Sequence, residues 1–295
     1  MSIKIGIDLG GTKIEIVVLG NYNKILYRDR IPTDAIKGQK KVFDNIKYLY
    51  NKTINFFDGE THSLGIGIPG FISKTNGLLY NSTINCHNEL NIRNYFDSLF
   101  QRNYVIENDA NCFVFAEANL GSGKNYSNIF GLIIGTGCGA GIVINNQLIK
   151  GHNNLAGEVG HSIIKINGRK CFCGKKGCMN AYISGSALER SIRINTKNNI
   201  SAEMFFNKKK LNSIEYKIKN DYFEFLRTSI INIINTIDPE VIILGGGLSN
   251  LNEIYDELKF SNKNSCFENV KIKTKILKNS LGDSSGVIGA ALLGI

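Results

Sequence analysis

The sequence predicts an α/β protein made of two related halves around a shared cleft. Three observations carry this expectation. The chain opens with a strand, a glycine turn and a second strand over residues 3–19, and the same order returns over residues 129–144. In both places apolar residues follow the short period of buried strands, and helical spacing takes over between them. At 295 residues the chain also exceeds what one hydrophobic core ordinarily serves. We divide it into residues 1–118 and 119–295, with the closing helix free to pack back on the first half.

Ile3, Ile5 and Ile7 alternate with smaller or polar residues, Asp8-Leu9-Gly10-Gly11-Thr12 turns the chain, and Ile14 to Leu19 reads as the second strand. A third strand is expected over Asn23 to Ile31. Val42, Ile46, Leu49 and Phe56 share one helical face, a buried strand follows at Ser63 to Ile68, and a helix is expected near 91–101. Asn103 to Ile106 reads as a strand leading to Glu107-Asn108-Asp109, and Asp109 heads a helix to Leu120. In the second half, Ile129 to Ile134 and Ile142 to Ile144 flank the run Gly135-Thr136-Gly137-Cys138-Gly139-Ala140-Gly141. A long helix marked by Tyr222, Phe225, Leu226, Ile230, Ile233 and Ile237 stops at Asp238-Pro239. Val241 to Leu244 then leads into Gly245-Gly246-Gly247. A strand over Val270 to Leu277 and a small-residue helix from Ser285 to Leu293 close the chain.

Composition narrows the class. Hydrophobic residues make up 43% and charged residues 20%, ordinary for a globular protein. No apolar run reaches 18 residues and the N-terminus does not read as a signal peptide, so a cytoplasmic protein without membrane attachment is expected. The net charge is +10, but Lys and Arg are dispersed and the densest run is Lys208-Lys209-Lys210. That pattern predicts no nucleic-acid partner, while the positive field attracts anionic substrates. Cys86, Cys112, Cys138 and Cys266 are scattered and read as reduced core thiols.

A glycine turn between strands lets backbone N–H groups close on a phosphate. One such turn is equally an ordinary hairpin. Two, each with a Gly-Thr pair after a buried strand, point to a polyphosphate ligand. Asp8 suits an anchor for hydrated Mg2+, Thr12 and Thr136 offer hydroxyls, and Lys13 adds charge. The run Gly245 to Gly247 allows a base or ribose to approach. No G-x-x-x-x-G-K-[ST] is present, and the glycines sit between strands rather than before a helix, so neither a P-loop nor a dinucleotide fold fits. Asp109 follows a strand and is placed either to cap its helix or to act as base toward a hydroxyl. Cys171, Cys173 and Cys178, with His161 ten residues earlier, make a Cys3His set of the structural zinc type. A zinc-bound His161 keeps a second nitrogen for another partner, and Glu158 stands three residues before it.

Together these elements resemble the ROK family of bacterial sugar kinases and repressors, within the actin–hexokinase fold group. The likeness runs through Asp8 to Lys13, Gly135-Thr136-Gly137, Glu107-Asn108-Asp109-Ala110-Asn111, Glu158-Val159-Gly160-His161 and Cys171 to Cys178. It implies an ATP-dependent, Mg2+-assisted transfer to a hexose hydroxyl, with Asp109 as base and Zn2+ on His161, Cys171, Cys173 and Cys178. It implies nucleotide contacts from Gly6, Asp8, Leu9, Gly10, Gly11, Thr12, Lys13, Gly135, Thr136, Gly137, Cys138, Gly139, Gly245, Gly246 and Gly247. Sugar contacts would come from Gly70, Asn81, Asn108, Glu158, His161 and Asn180, and the assembly would be a homodimer. The glycine run, Ala156-Gly157-Glu158 and Gly282 to Gly286 look most like bacterial fructokinases, giving fructose 6-phosphate. N-acetylglucosamine, N-acetylmannosamine and glucose kinases are the alternatives, and a sugar-responsive repressor or a pseudokinase the remote ones. One residue departs from the family pattern. Asn180 stands where a glutamate usually contacts the sugar, so a tuned sugar site is expected there.

Overall fold

The computed structural model describes residues 3–259 and 270–295; Cys266 lies outside them. The chain runs β1 (Ile3–Leu9), β2 (Lys13–Leu19), β3 (Ile25–Pro32), α1 (Gln39–Phe56), β4 (His62–Ile68), β5 (Phe71–Ile72), β6 (Leu79–Tyr80), α2 (Ile92–Phe100), β7 (Val105–Asn108) and α3 (Asp109–Leu120). It continues with β8 (Ile129–Ile134), β9 (Cys138–Ile144), β10 (Gln147–Leu148), α4 (Asn180–Ile183), α5 (Gly185–Thr196), α6 (Ala202–Phe206), α7 (Ser213–Ile237), β11 (Val241–Gly245), α8 (Asn252–Glu257), β12 (Lys275–Lys278) and α9 (Ser285–Leu293). Two compact units result. The first takes Met1–Asn119, Leu148–Ala156 and Asp283–Ile295, and the second Leu120–Gln147 and Gly157–Gly282.

The two sheets have matching topologies. The first is ordered β3-β2-β1-β4-β7 and the second β10-β9-β8-β11-β12. In each, an antiparallel hairpin is followed by two strands that add in parallel. The glycine turns occupy the same place in both, at the hairpin joining the first two strands. This is the structural form of the repeat seen in the sequence.

In the first unit, Ile3, Ile5, Ile7 and Leu9 cluster with Val42, Phe43, Ile46 and Leu49 of α1. Strand residues alternate between faces, so the even positions of β1 face the other way. There Gly6 meets α9. A Cβ on Gly6 would lie 2.2 Å from the Val287 carbonyl, and one on Gly65 1.8 Å from that of Ala290. The small-residue helix sits directly on the sheet because its seat has no side chains. The carboxyl ends of β1, β4 and β7 then meet at one edge, where an open α/β sheet ordinarily binds its ligand.

In the second unit, α7 starts at Ser213, before the expected apolar stretch, because Asn212 and Glu215 form a capping box. Asp238 ends it in the left-handed conformation at φ 46°. β9 begins at Cys138, inside the glycine run, and β7 ends at Asn108. β12 covers Lys275–Lys278, a shorter span than the expected 270–277. Among the described residues no helix is long and apolar enough to cross a membrane.

Candidate active site

The first glycine turn is held by its own sheet. The Gly10 N–H donates to the Lys13 carbonyl at 2.9 Å, and the Thr33 N–H donates to the Thr12 carbonyl at 3.0 Å. The Thr33 hydroxyl donates to the Gly10 carbonyl at 2.6 Å. The N–H groups of Gly11 and Thr12 have no protein acceptor among the described residues. They are the groups an anion would use. Gly6 and Leu9, expected at the nucleotide, have other surroundings: Gly6 lies mid-strand beneath α9, and the Leu9 side chain is in the core.

Two partly buried carboxylates stand beside this turn. Asp8 is the penultimate residue of β1 and lies next to Gly67 and Gly286, where a Cβ on either glycine would come within 3.2 Å of its oxygens. Burial raises its pKa to about 7, helped by the negative charges of Asp109 and Glu15 and opposed by Lys13. Burial likewise raises Asp109 to about 6, against the lowering pull of the Ala110 N–H, its own backbone N–H and the Asn108 side chain. Asn108 shares the cap of α3. Its Oδ1 accepts from the N–H groups of Ala110 at 2.9 Å and Asn111 at 3.3 Å, and its Nδ2 donates to the Gly70 carbonyl at 2.9 Å. Asp109 is the first residue of the helix, and its Oδ1 accepts from the adjacent Ala110 N–H at 2.8 Å.

A cavity of about 330 Å³ opens against this edge of the first unit. Gly70 and Asn108 line it with apolar Ile68, Phe71, Ile72 and Ile106 and with polar Glu107, Lys150 and Asn154. Gly70 has φ +88° and presses on Tyr80 and Ser82, a Cβ there falling 2.3 Å from the Tyr80 carbonyl; Asn81 lies between those two residues with φ 57°. The Lys150 ammonium pairs with Glu107 at 2.7 Å, and Glu107 also accepts from Asn111 Nδ2 at 2.9 Å. Sequence reasoning did not find this ion pair, because its members are far apart in the chain. It also missed Glu15, which is buried and reached by Arg28 at 2.5 Å, Arg30 at 2.9 Å and Lys13 at 3.6 Å. Glu15 and Arg30 are opposed in the β2–β3 register, so the hairpin pattern did carry a signal for that pair.

The second turn is held by a different segment. The Gly135 N–H donates to the Gly137 carbonyl at 2.9 Å, while the Gly185 N–H donates to the Gly135 carbonyl at 2.7 Å. The Ser186 hydroxyl donates to the Thr136 carbonyl at 2.6 Å. The Cys138 N–H donates to the Asn180 amide oxygen at 2.8 Å. The Thr136 and Gly137 N–H groups have no protein acceptor among the described residues. Gly246, at φ +80°, packs under the turn, a Cβ there falling 2.6 Å from the Ile134 carbonyl. Gly247 instead lines a cavity of about 590 Å³ shared with Gly135, Thr136, Ser186, Glu189, Glu203 and Asn250. Gly245 ends β11, and Gly139 is a ladder residue of β9 opposite Ile133. The helices over 180–206, which supply Ser186, Glu189 and Glu203, were not expected from the sequence.

His161, Cys171, Cys173 and Cys178 converge, with all four ligand atoms within 4.8 Å of one another. Cys171 Sγ is 3.7 Å from His161 Nδ1, and Cys173 Sγ is 3.6 Å from Cys178 Sγ. A tetrahedral zinc with bonds of about 2.3 Å to sulfur spaces its sulfurs by about 3.7 Å, so the donor set and its spacing fit zinc. His161 Nδ1 faces the thiols and Nε2 lies 3.9 Å from Glu158 Oε2. Burial, then the Lys175 charge, lowers the His161 pKa and favours the neutral ligand form. Asn180 begins α4 just past Cys178, buried, with its oxygen committed to the Cys138 N–H. The expectation that this side chain meets a sugar therefore gives way, for its oxygen, to a bond with the second turn.

Comparison with known proteins agrees with this geometry. The ROK family model matches residues 4–295. An N-acetyl-D-glucosamine kinase from Haemophilus influenzae is 34% identical, with 98% of each chain covered. An N-acetylgalactosamine kinase from Shewanella sp. is 33% identical over 98% of this chain and 96% of its own. Among solved structures, a ROK hexokinase from Thermus thermophilus superposes with a TM-score of 0.86 at 24% identity, covering 99% of this chain and 97% of that one. The chain belongs to the ROK family, among its sugar kinases, and has the actin-like ATPase fold.

Proposed function

We propose that the protein transfers the γ-phosphoryl group of ATP to a hydroxyl of an N-acetylhexosamine, with N-acetylglucosamine the first candidate. The observation that carries this reading is Asp109. Its carboxylate is partly buried beside a phosphate-ready turn, at a helix start whose cap Asn108 shares, and its pKa of about 6 leaves it mostly ionised at pH 7. That is the poise of a general base. Asp109 takes the proton of the sugar hydroxyl as its oxygen bonds to the γ-phosphorus. The bond from phosphorus to the β-bridging oxygen breaks, and ADP leaves.

The open N–H pairs of Gly11 and Thr12, and of Thr136 and Gly137, are suited to hold phosphate oxygens, and the cavity at Gly247 to take the nucleoside. Asp8, beside Asp109, would hold a hydrated Mg2+, which supplies charge neutralisation at the phosphates. His161, Cys171, Cys173 and Cys178 would hold a structural zinc, leaving His161 Nε2 and Glu158 directed to sugar hydroxyls. Asn108 lines the cavity where the sugar would sit, its side chain held by the helix cap and by Gly70. The fructokinase expectation has less support than its alternative: the relatives compared are kinases of N-acetylated hexosamines. The apolar wall of Ile68, Phe71 and Ile72 beside Asn108 offers an acetyl methyl the surroundings it needs.

A coupled ADP-release assay decides the substrate. N-acetylglucosamine should give a kcat/KM at least about tenfold above fructose, glucose, mannose and N-acetylmannosamine, since one well-placed contact discriminates by that much. Fructose as the best substrate would restore the fructokinase reading, and no sugar-dependent release would sink the kinase reading.

A further inference from the structure

We infer that Asn180 is a positioning residue for the nucleotide, acting through the second phosphate turn. The inference rests on the ATP-dependent reading above. The segment leaving the Cys3His cluster touches the turn at three successive points. Asn180 Oδ1 accepts from the Cys138 N–H at 2.8 Å, the Gly185 N–H donates to the Gly135 carbonyl at 2.7 Å, and Ser186 Oγ donates to the Thr136 carbonyl at 2.6 Å. Two of these bonds hold carbonyls, whose oxygens would repel a phosphate if they swung round. The Asn180 bond instead holds an N–H. It fixes the peptide between Gly137 and Cys138, and so the direction of the turn next to its two open N–H groups.

The side chain is suited to this in charge as well as reach. It is buried and begins α4, with the Ser184 hydroxyl donating to its carbonyl at 2.7 Å, so its backbone does not wander. An amide oxygen accepts the bond without bringing charge. A carboxylate at the same place would put a negative charge beside a turn that takes a triphosphate, where little water screens it.

The test is kinetic and binding work on Asn180→Ala and Asn180→Asp, with zinc content measured alongside. In Asn180→Ala we expect the KM for MgATP and the Kd for ADP, by calorimetric titration, to rise about fivefold, the worth of one hydrogen bond. Sugar KM should stay within about twofold. In Asn180→Asp, of the same shape, both nucleotide constants should rise further, to about tenfold or more, and recover partly at high salt because the added effect is Coulombic. A rise in sugar KM with nucleotide constants unchanged would overturn the inference and return Asn180 to the sugar. Unchanged constants throughout would also overturn it. If Asn180→Ala fails to fold, the same split in Asn180→Asp decides. If wild type shows no sugar-dependent turnover, the kinase reading fails, while ADP titration of the variants still decides the role of Asn180.

Discussion

The two glycine turns have the same place in their sheets and the same local design, yet they are built from opposite materials. Each turns its first glycine N–H back on itself and leaves the next two N–H groups open. The first is surrounded by charge, with Asp8 and Asp109 partly buried beside it and Glu15 holding Lys13 of its own strand and Arg28 and Arg30 of the next. It is fastened by Thr33, at the end of its own sheet. The second is fastened by neutral groups, Asn180, Gly185 and Ser186, all on the segment that follows the Cys3His cluster. Titratable groups are thus gathered at the first turn, while the second is fastened from a segment outside its own sheet.

The largest expected effect breaks the charged side. Asp109→Asn should lower turnover at least about a hundredfold, as removing a general base does. The same variant should unfold later than wild type. Burying the Asp109 charge disfavours the folded state at pH 7, and a shift from 3.8 to about 6 corresponds to something on the order of 1–3 kcal/mol. Wild-type Asp109 protonates in the folded state as pH falls through about 6, so the difference should shrink toward pH 4. Parallel thermal melts at pH 7.5 and 4.5 would show it.

Next comes the scaffold side. Cys178→Ser removes one of four ligands, so bound zinc should fall below the one ion per chain expected of wild type. Thermal stability should drop by several kcal/mol, as when a structural metal is lost. Metal analysis and calorimetry read the two effects directly.

The pH profile gives an intermediate test. With a folded pKa of about 6, Asp109 loses its proton-accepting form below that pH. The kcat/KM for the sugar should fall about tenfold per unit there, and a profile flat to pH 4.5 would exclude it as the base.

The smallest effects compare the fastenings themselves. Thr33→Val leaves the part-buried Gly10 carbonyl short of a donor and should raise the KM for MgATP about fivefold. Ser186 is exposed, so water can replace its hydroxyl, and Ser186→Ala should cost no more than about twofold.

Much of this was legible before any coordinates. The strand patterns located β1, β2, β4 and β8, and the paired Gly-Thr runs located both hairpin turns with open N–H groups. Cysteine spacing located the Cys3His cluster because its members are close in sequence. Asp109 was legible as either cap or base, and the structure adds Asn108 as a second acceptor at the same cap. What escaped depends on side chains meeting across long stretches of chain. Nothing near Asn180 announces that its partner is the Cys138 N–H, and nothing near Lys150 announces Glu107. The two short helices Asn180–Ile183 and Ala202–Phe206 escaped too, because four or five residues carry too little periodicity to distinguish a helix from a loop.

Amide hydrogen exchange on peptides covering 10–13 and 135–138, before and after metal stripping, tests the contrast most directly. If the second turn is held by the loop beyond the Cys3His cluster, stripping should speed exchange at the Cys138 N–H at least about tenfold while the Gly10 N–H keeps its rate. Equal acceleration at both turns, or none at Cys138, would contradict the division of labour between them.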